Sequence, residues 1–215
     1  MRIFYDVDNQ NDFIKGSGAL PVHGAEALIP NLEALTRYAE RHGIPILGSV
    51  DRHFGTRSYK NKEEEELSIW GGPFQNHCMD GTEGQKKIPG TLLRDVVYIG
   101  SPRGLLSRKL DAQQVIFEKQ SYDVFHSPGN LGGNRNIARA LRMLDATEAV
   151  LYGVATDYCV KAAALGMRRL LGKKIDLYVV TDAIKPVSPE TEKEALNAMG
   201  KVNVQFVTAK DVIGN

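Results

Sequence analysis

The residues able to do chemistry in this chain gather behind its apolar runs. Asp8 follows RIFYDV, Asp51 and His53 follow IPILGSV, Lys119 closes QQVIFEK, and Asp157 and Cys159 follow EAVLYGV. A thiol becomes a strong nucleophile when a base takes its proton and a cation holds that base ionised. Asp8, Lys119 and Cys159 supply base, orienter and nucleophile if the fold brings them together. Cys159 is expected in the first turn of a helix, with Thr156 or Asp157 as N-cap, where the positive end of the helix dipole lowers a thiol pKa. Asp51-x-His53 is a short metal-ligand pair, and His77 adds a second imidazole. Such a set suits Zn, Fe or Mn, with water in the open positions. Each residue alone has an ordinary account. Asp8 can cap a turn, Lys119 can be a solvated lysine, and Cys159 can be a small buried hydrophobe. Asp51-x-His53 can belong to a polar loop without metal, and on spacing alone that account is slightly ahead.

The elements that must position these groups alternate along the chain. Strands are expected at Arg2–Val7, Ile44–Val50, Gln113–Lys119, Glu148–Val154, Lys174–Ala183 and Val202–Val207. Helices fall between them. Pro30 suits a first turn, and Leu28, Leu32, Leu35 and Ala39 share one face before a stop at Gly43. Further helices are expected over Asn134 to Leu144, Asp157 to Leu171 and Pro189 to Met199. Apolar strands alternating with helices predict an α/β fold with a parallel sheet covered on both faces. In such sheets ligands bind beyond the carboxyl ends of the strands, which is where the reactive residues lie. The stretch from Arg52 to Asp111 is long, polar and Gly-rich, with acids at Glu63–Glu66. Loops of that length in a compact domain are usually functional or disordered. Within it, DVVYIGS and GLLSRKL read as a small hairpin around Pro102-Arg103.

Composition narrows the classes. The 215 residues are 42% hydrophobic and 25% charged, which fits one globular domain spanning residues 1–215. A net charge of +1 provides no field for nucleic acid or an anionic membrane. No apolar run has the length of a membrane span, and the N-terminal one is too short and too soon interrupted by acids for a signal peptide. Cys78 and Cys159 are too few for a disulfide framework, so a reducing cytoplasm is the expected location.

Several motifs, in order, resemble the nicotinamidase branch of the isochorismatase-like cysteine hydrolases. They are DNQNDF (Asp8–Phe13), GALPVHGAEALIP (Gly18–Pro30), DRH (Asp51–His53), HCMDGTEG (His77–Gly84), Lys119 and GVATDYCV (Gly153–Val160). The resemblance implies a three-layer αβα fold around a roughly six-stranded, mostly parallel sheet. It implies that Asp8, Lys119 and Cys159 hydrolyse nicotinamide to nicotinate and ammonia through a thioester, a step of NAD salvage. It implies an oxyanion hole from the backbone N–H groups of Ala155 and Cys159, beside a cis Val154–Ala155 bond. It implies one divalent ion, Zn by preference and otherwise Fe or Mn, held by Asp51, His53 and His77. Phe13 and Trp70 are then candidates for contact with the substrate ring. Family members are often homo-oligomers.

This sequence also departs from the pattern. It lacks the further histidine that some relatives carry after Asp-x-His, and one of Glu63–Glu66 is an alternative ligand. The spacing from His53 to His77 is long, Asp95–Asp111 looks like an insertion, and KAAALGMRRLLG follows Cys159 where relatives carry small and acidic residues. Cys78 is expected to be packed. The main alternative is a related amidohydrolase of a carbamoyl or ureido compound, which would tolerate a weaker metal site. A non-catalytic binding module would be expected to have lost one of the three residues. An isochorismatase proper does not need the cysteine.

Overall fold

The computed structural model describes residues 1–55, 66–100, 110–125 and 132–214. Among the described residues, seven strands form one sheet: β1 (Arg2–Val7), β2 (Ile46–Asp51), β3 (Val96–Ile99), β4 (Gln114–Lys119), β5 (Glu148–Val154), β6 (Asp176–Lys185) and β7 (Val204–Val207). The sheet order is β3-β4-β2-β1-β5-β6-β7, and every pairing is parallel. The α/β architecture is as the sequence predicts, with one strand more than the expected six. That strand is β3, read from sequence as one arm of a hairpin. It pairs in parallel with β4, Val96 facing Gln114 and Ile99 facing Phe117. The hairpin's other arm and its Pro102-Arg103 turn lie outside the described residues, apart from Leu110. A four-residue run with only its last residue fully buried carries a weak signal, which is why it resembled an appendage.

Strand alternation sends side chains to two cores. Ile3, Tyr5 and Val7 point to one face, where they meet helices α3 (Asn136–Met143), α4 (Lys161–Leu171) and α5 (Pro189–Lys201) through Ile137, Ala164 and Met199. Phe4 points to the other face, where Leu32, Leu35 and Ala39 of α2 (Ile29–Arg41) cover it beside Val212 of α6 (Ala209–Ile213). Each fully buried Leu of α2 stabilises the fold by about 1.5–3 kcal/mol. The short α1 (Asn11–Ile14) and α6 were not expected, being only four and five residues long. Among the described residues, no helix is long and apolar enough to cross a membrane.

The chain builds outward from β1 on one side through β2, β4 and β3, then returns to the other side through β5. The β1/β5 boundary is therefore a switch point, and a crevice opens beyond the carboxyl ends there. Gly153 makes the close approach possible. Its φ is +120°, and a Cβ there would lie 2.0 Å from the Val7 carbonyl oxygen.

Candidate active site

Four adjacent strands deliver four reactive residues. Asp8 is one residue past β1, Asp51 ends β2, Lys119 ends β4, and Cys159 lies in the turn after β5. Asp51 and Lys119 are register partners, so their side chains emerge together. The Lys119 ammonium lies 2.8 Å from Asp8 Oδ2 and 3.6 Å from Cys159 Sγ, and it also contacts Asp51 Oδ1. The Cys159 thiol is among the groups that favour the ionised form of the Asp8 carboxyl. Asp8, Asp51 and Lys119 are buried, and Cys159 keeps 8% exposure, toward a pocket.

The two carboxyls are driven in opposite directions. Burial raises the Asp8 pKa above the ordinary range against the pull of Lys119, and the negative charge of Asp51 adds to the rise. Burial also opposes the ionisation of Asp51, but Lys119 and the imidazoles of His77 and His53 outweigh it and hold that carboxylate well below its usual range. Carboxyls separated in this way take different tasks. Asp8 suits a proton acceptor, and Asp51 suits a permanent anion.

Asp51, His53 and His77 offer ligand atoms that all lie within 4.8 Å of one another, and all three residues are buried. The Nε2 of His77 is 3.8 Å from Asp51 Oδ2, while its Nδ1 is 2.9 Å from the Gln75 carbonyl oxygen. A backbone carbonyl on Nδ1 fixes the tautomer that leaves Nε2 to a metal. Two buried imidazoles beside a carboxylate fit a divalent ion. Of the acidic run, Glu63 to Glu65 lie outside the described residues, and Glu66 is not part of the cluster.

The DNQNDF stretch holds His77 through a strap, residues 77–88. Asp12 accepts from the Cys78 N–H at 2.6 Å and from the Ala19 N–H at 2.9 Å. The Gln10 amide donates to the carbonyls of Asp51 and Gln85 and accepts from the Asp51 N–H. Asn11 donates to the Glu83 carbonyl. Lys87 closes the strap by pairing with Asp6 at 2.8 Å, both side chains at 0% exposure, and Asn9 donates to the same Asp6 oxygen. Gly84 is needed where the strap crosses α1, because a Cβ there would meet Asp12 Oδ1 at 2.1 Å. Cys78 is fully buried, as expected.

The turn that carries Cys159 differs from expectation. Thr156–Val160 is a π-helical turn, with Val160 N–H bonding to Ala155 O at 3.1 Å, and α4 begins only at Lys161. The residue at the N-cap position of that turn is Ala155, so neither Thr156 nor Asp157 caps it. Asp157 instead accepts from the Val187 N–H at 3.0 Å, the Ser188 N–H at 3.4 Å and the Thr191 hydroxyl, gripping the loop before α5. A pattern of helical spacing cannot distinguish a π turn from an α turn, and such turns recur at functional sites.

A cleft of about 120 Å³ opens over the sulfur, similar to a cavity that accepts one benzene-sized ring, on the order of 150 Å³. Asp51 and His77 border it, as do Ala155 and Cys159. The Val154–Ala155 bond is cis, as the resemblance implies. Phe13 lines the cleft as expected, its ring centroid 5.2 Å from that of His77. The Trp70 backbone belongs to the turn Ser68–Trp70, and its side chain lies outside the described residues. Phe74, Tyr122, Tyr158 and Val187 complete the walls without a sequence signal of their own. Ser49, whose hydroxyl donates to Asp8 Oδ1 at 2.7 Å, was also missed. It sits two residues before Asp51 on the same strand, so strand alternation alone pointed to it.

Comparison with known proteins agrees with this geometry. The chain is 28% identical to a nicotinamidase/pyrazinamidase of Mycobacterium tuberculosis, over 96% of this chain and 98% of that one. It is 22% identical to a probable inactive nicotinamidase of Arabidopsis thaliana, over 94% and 89%. The structure of a pyrazinamidase of Pyrococcus horikoshii in complex with zinc superposes with a TM-score of 0.73 at 26% identity, covering 96% of this chain and 98% of that one. The Isochorismatase domain family matches residues 100–211, just over half of the chain and including both Lys119 and Cys159, and the chain belongs to that family.

Proposed function

We propose that the chain is a cysteine amidohydrolase that converts nicotinamide to nicotinate and ammonia. The observation that carries this reading is the Lys119 ammonium, which joins Asp8 and Cys159 on the floor of an apolar, ring-sized cleft. Asp8 takes the thiol proton, and the sulfur attacks the carboxamide carbon. The resulting oxyanion is met by the N–H groups of Ala155 and Cys159. Asp8 returns the proton to the departing nitrogen, ammonia leaves, and a thioester remains. Asp8 then takes a proton from water, which attacks the thioester and frees the acid and the thiol. Lys119 keeps Asp8 anionic whenever the proton is elsewhere. Asp51, His53 and His77 would hold one divalent ion, which supplies a Lewis-acid contact for the ring nitrogen. The walls formed by Phe13, Phe74 and Val22 favour an aromatic amide over a ureido compound, which would leave its polar atoms without partners there.

The test is ammonia release from nicotinamide, pyrazinamide and small ureido compounds, with metal analysis of the same sample. Nicotinamide should turn over fastest, and Cys159→Ala should lower the rate by about a thousandfold or more with the fold intact. Undiminished release by the purified Cys159→Ala protein would refute the nucleophile, and a preference for ureido compounds would refute the substrate. A relative described as inactive makes the first measurement decisive, because a binding module would give no release in either form.

A further inference from the structure

Both oxygens of the Asp8 carboxylate have a partner in this structure. Oδ2 receives the Lys119 ammonium at 2.8 Å, and Oδ1 receives the Ser49 hydroxyl at 2.7 Å. Ser49 also holds the backbone of the same residue, because the Asp8 N–H donates to the Ser49 carbonyl at 3.0 Å. This second hold matters because Asp8 has φ +47°, a conformation that residues with side chains rarely adopt. Ser49 is 1% exposed, and the fully buried Tyr5 hydroxyl lies beside it. Neither residue lines the cleft, so neither touches a substrate there.

We propose that Ser49 is a positioning residue for the hydrolysis, fixing the plane of the Asp8 carboxylate against the thiol and following that base through its change of charge. Lys119 is a donor only, whereas a hydroxyl can donate to a carboxylate and accept from a carboxylic acid. When Asp8 carries a proton on Oδ1, the Ser49 O–H can turn and accept from it, so the two side chains stay hydrogen-bonded in both states. Tyr5, on the strand beside it, limits where that hydroxyl can swing. The inference rests on the proposed hydrolysis for its turnover measurement, whereas the reactivity of the thiol can be measured whatever the substrate.

The experiment compares Ser49→Ala and Ser49→Thr with the parent, matched for circular dichroism and metal content. In Ser49→Ala, kcat for nicotinamide should fall roughly tenfold to a hundredfold with KM within about twofold. Alkylation of Cys159 by iodoacetamide should slow in parallel, and Ser49→Thr, which keeps the hydroxyl, should recover most of both rates. Unchanged kcat and alkylation in Ser49→Ala would overturn the role. So would a folded Ser49→Thr protein as impaired as Ser49→Ala, since that result marks packing alone. Should Ser49→Ala fail to fold, Ser49→Cys keeps the volume with only a weak donor: a comparable loss of kcat supports the role, and full turnover overturns it. If the parent releases no ammonia from nicotinamide while Cys159 alkylation still drops in Ser49→Ala, Ser49 keeps its role and the nicotinamide reading falls.

Discussion

Lys119 contacts three groups that would otherwise have no shared cation: the Asp8 carboxyl, the Asp51 carboxyl and the Cys159 sulfur. Removing it leaves two buried carboxyls facing each other. Lys119→Met should therefore destabilise the protein by about 3–5 kcal/mol as well as stop turnover, read from the denaturant midpoint. A variant that loses activity with an unchanged midpoint would show that the pair was never strongly coupled. The two thiols should also part company in the native protein. Cys159 opens on the cleft and Cys78 does not, so iodoacetamide should label one cysteine in the folded chain and both in denaturant, counted by mass spectrometry. At this scale the sequence was most legible where motifs are dense: Asp8, Asp51, His53, Lys119 and Cys159 lie together as their positions after the strands suggested, and His77 joins them as its motif implied. Phe74 and Tyr122 were not legible, and Ser49 only through strand alternation, because a hydroxyl or a ring gains its role from whatever the fold places opposite it.

Among the elements, the strap between His77 and Ile88 does the most to shape the site. It is held from below by the ion pair of Lys87 with Asp6, both side chains fully buried, and at its outer side by Arg52 with Asp80. Burial pushes the Asp6 carboxyl up, while Lys87 and Asn9 pull it down. A carboxyl whose folded pKa is raised contributes most to stability below its unfolded value, and that contribution is lost as pH rises through the folded value. Lys87→Met removes the main opposing pull, so the variant should lose about 3–5 kcal/mol near neutral pH. The loss should shrink as the solution is acidified through the carboxylate range, because Asp6 is then neutral in both states. Urea titrations at several pH values would check this, and a loss independent of pH would contradict it. The long strands and α2 through α5 were legible by period. The parallel pairing of β3 and the π turn were not, since the first is a short run on the sheet edge and the second differs from an α turn only in its hydrogen bonds. The strap was visible as a Gly-rich loop carrying the HCMDGTEG motif but not as an ordered element, because its order comes from side chains of DNQNDF far away in sequence.

For the molecule as a whole, the cluster of Asp51, His53 and His77 joins the rim of the sheet to the strap. An ion that binds the folded chain and not the unfolded one raises the melting temperature by mass action. Chelation should therefore lower both nicotinamide turnover and the melting temperature, and restoring zinc or manganese should return both. A melting temperature that does not move, in protein shown to have lost its metal, would argue that Asp51, His53 and His77 hold none. The three-layer fold followed from alternating elements, and the crevice followed from the reversal of strand order at β1 and β5. Under the proposed hydrolysis, the grip of Asp157 on the Val187 loop bears on selectivity. The residue two before Cys159 anchors a wall of the cleft mouth, so entrance and sulfur are mechanically joined. An oversized ring that wedges that wall aside would drag the attacking atom with it. Crowded substrates should consequently bind and then stall, so discrimination by size would be exercised in the chemical step rather than at the door.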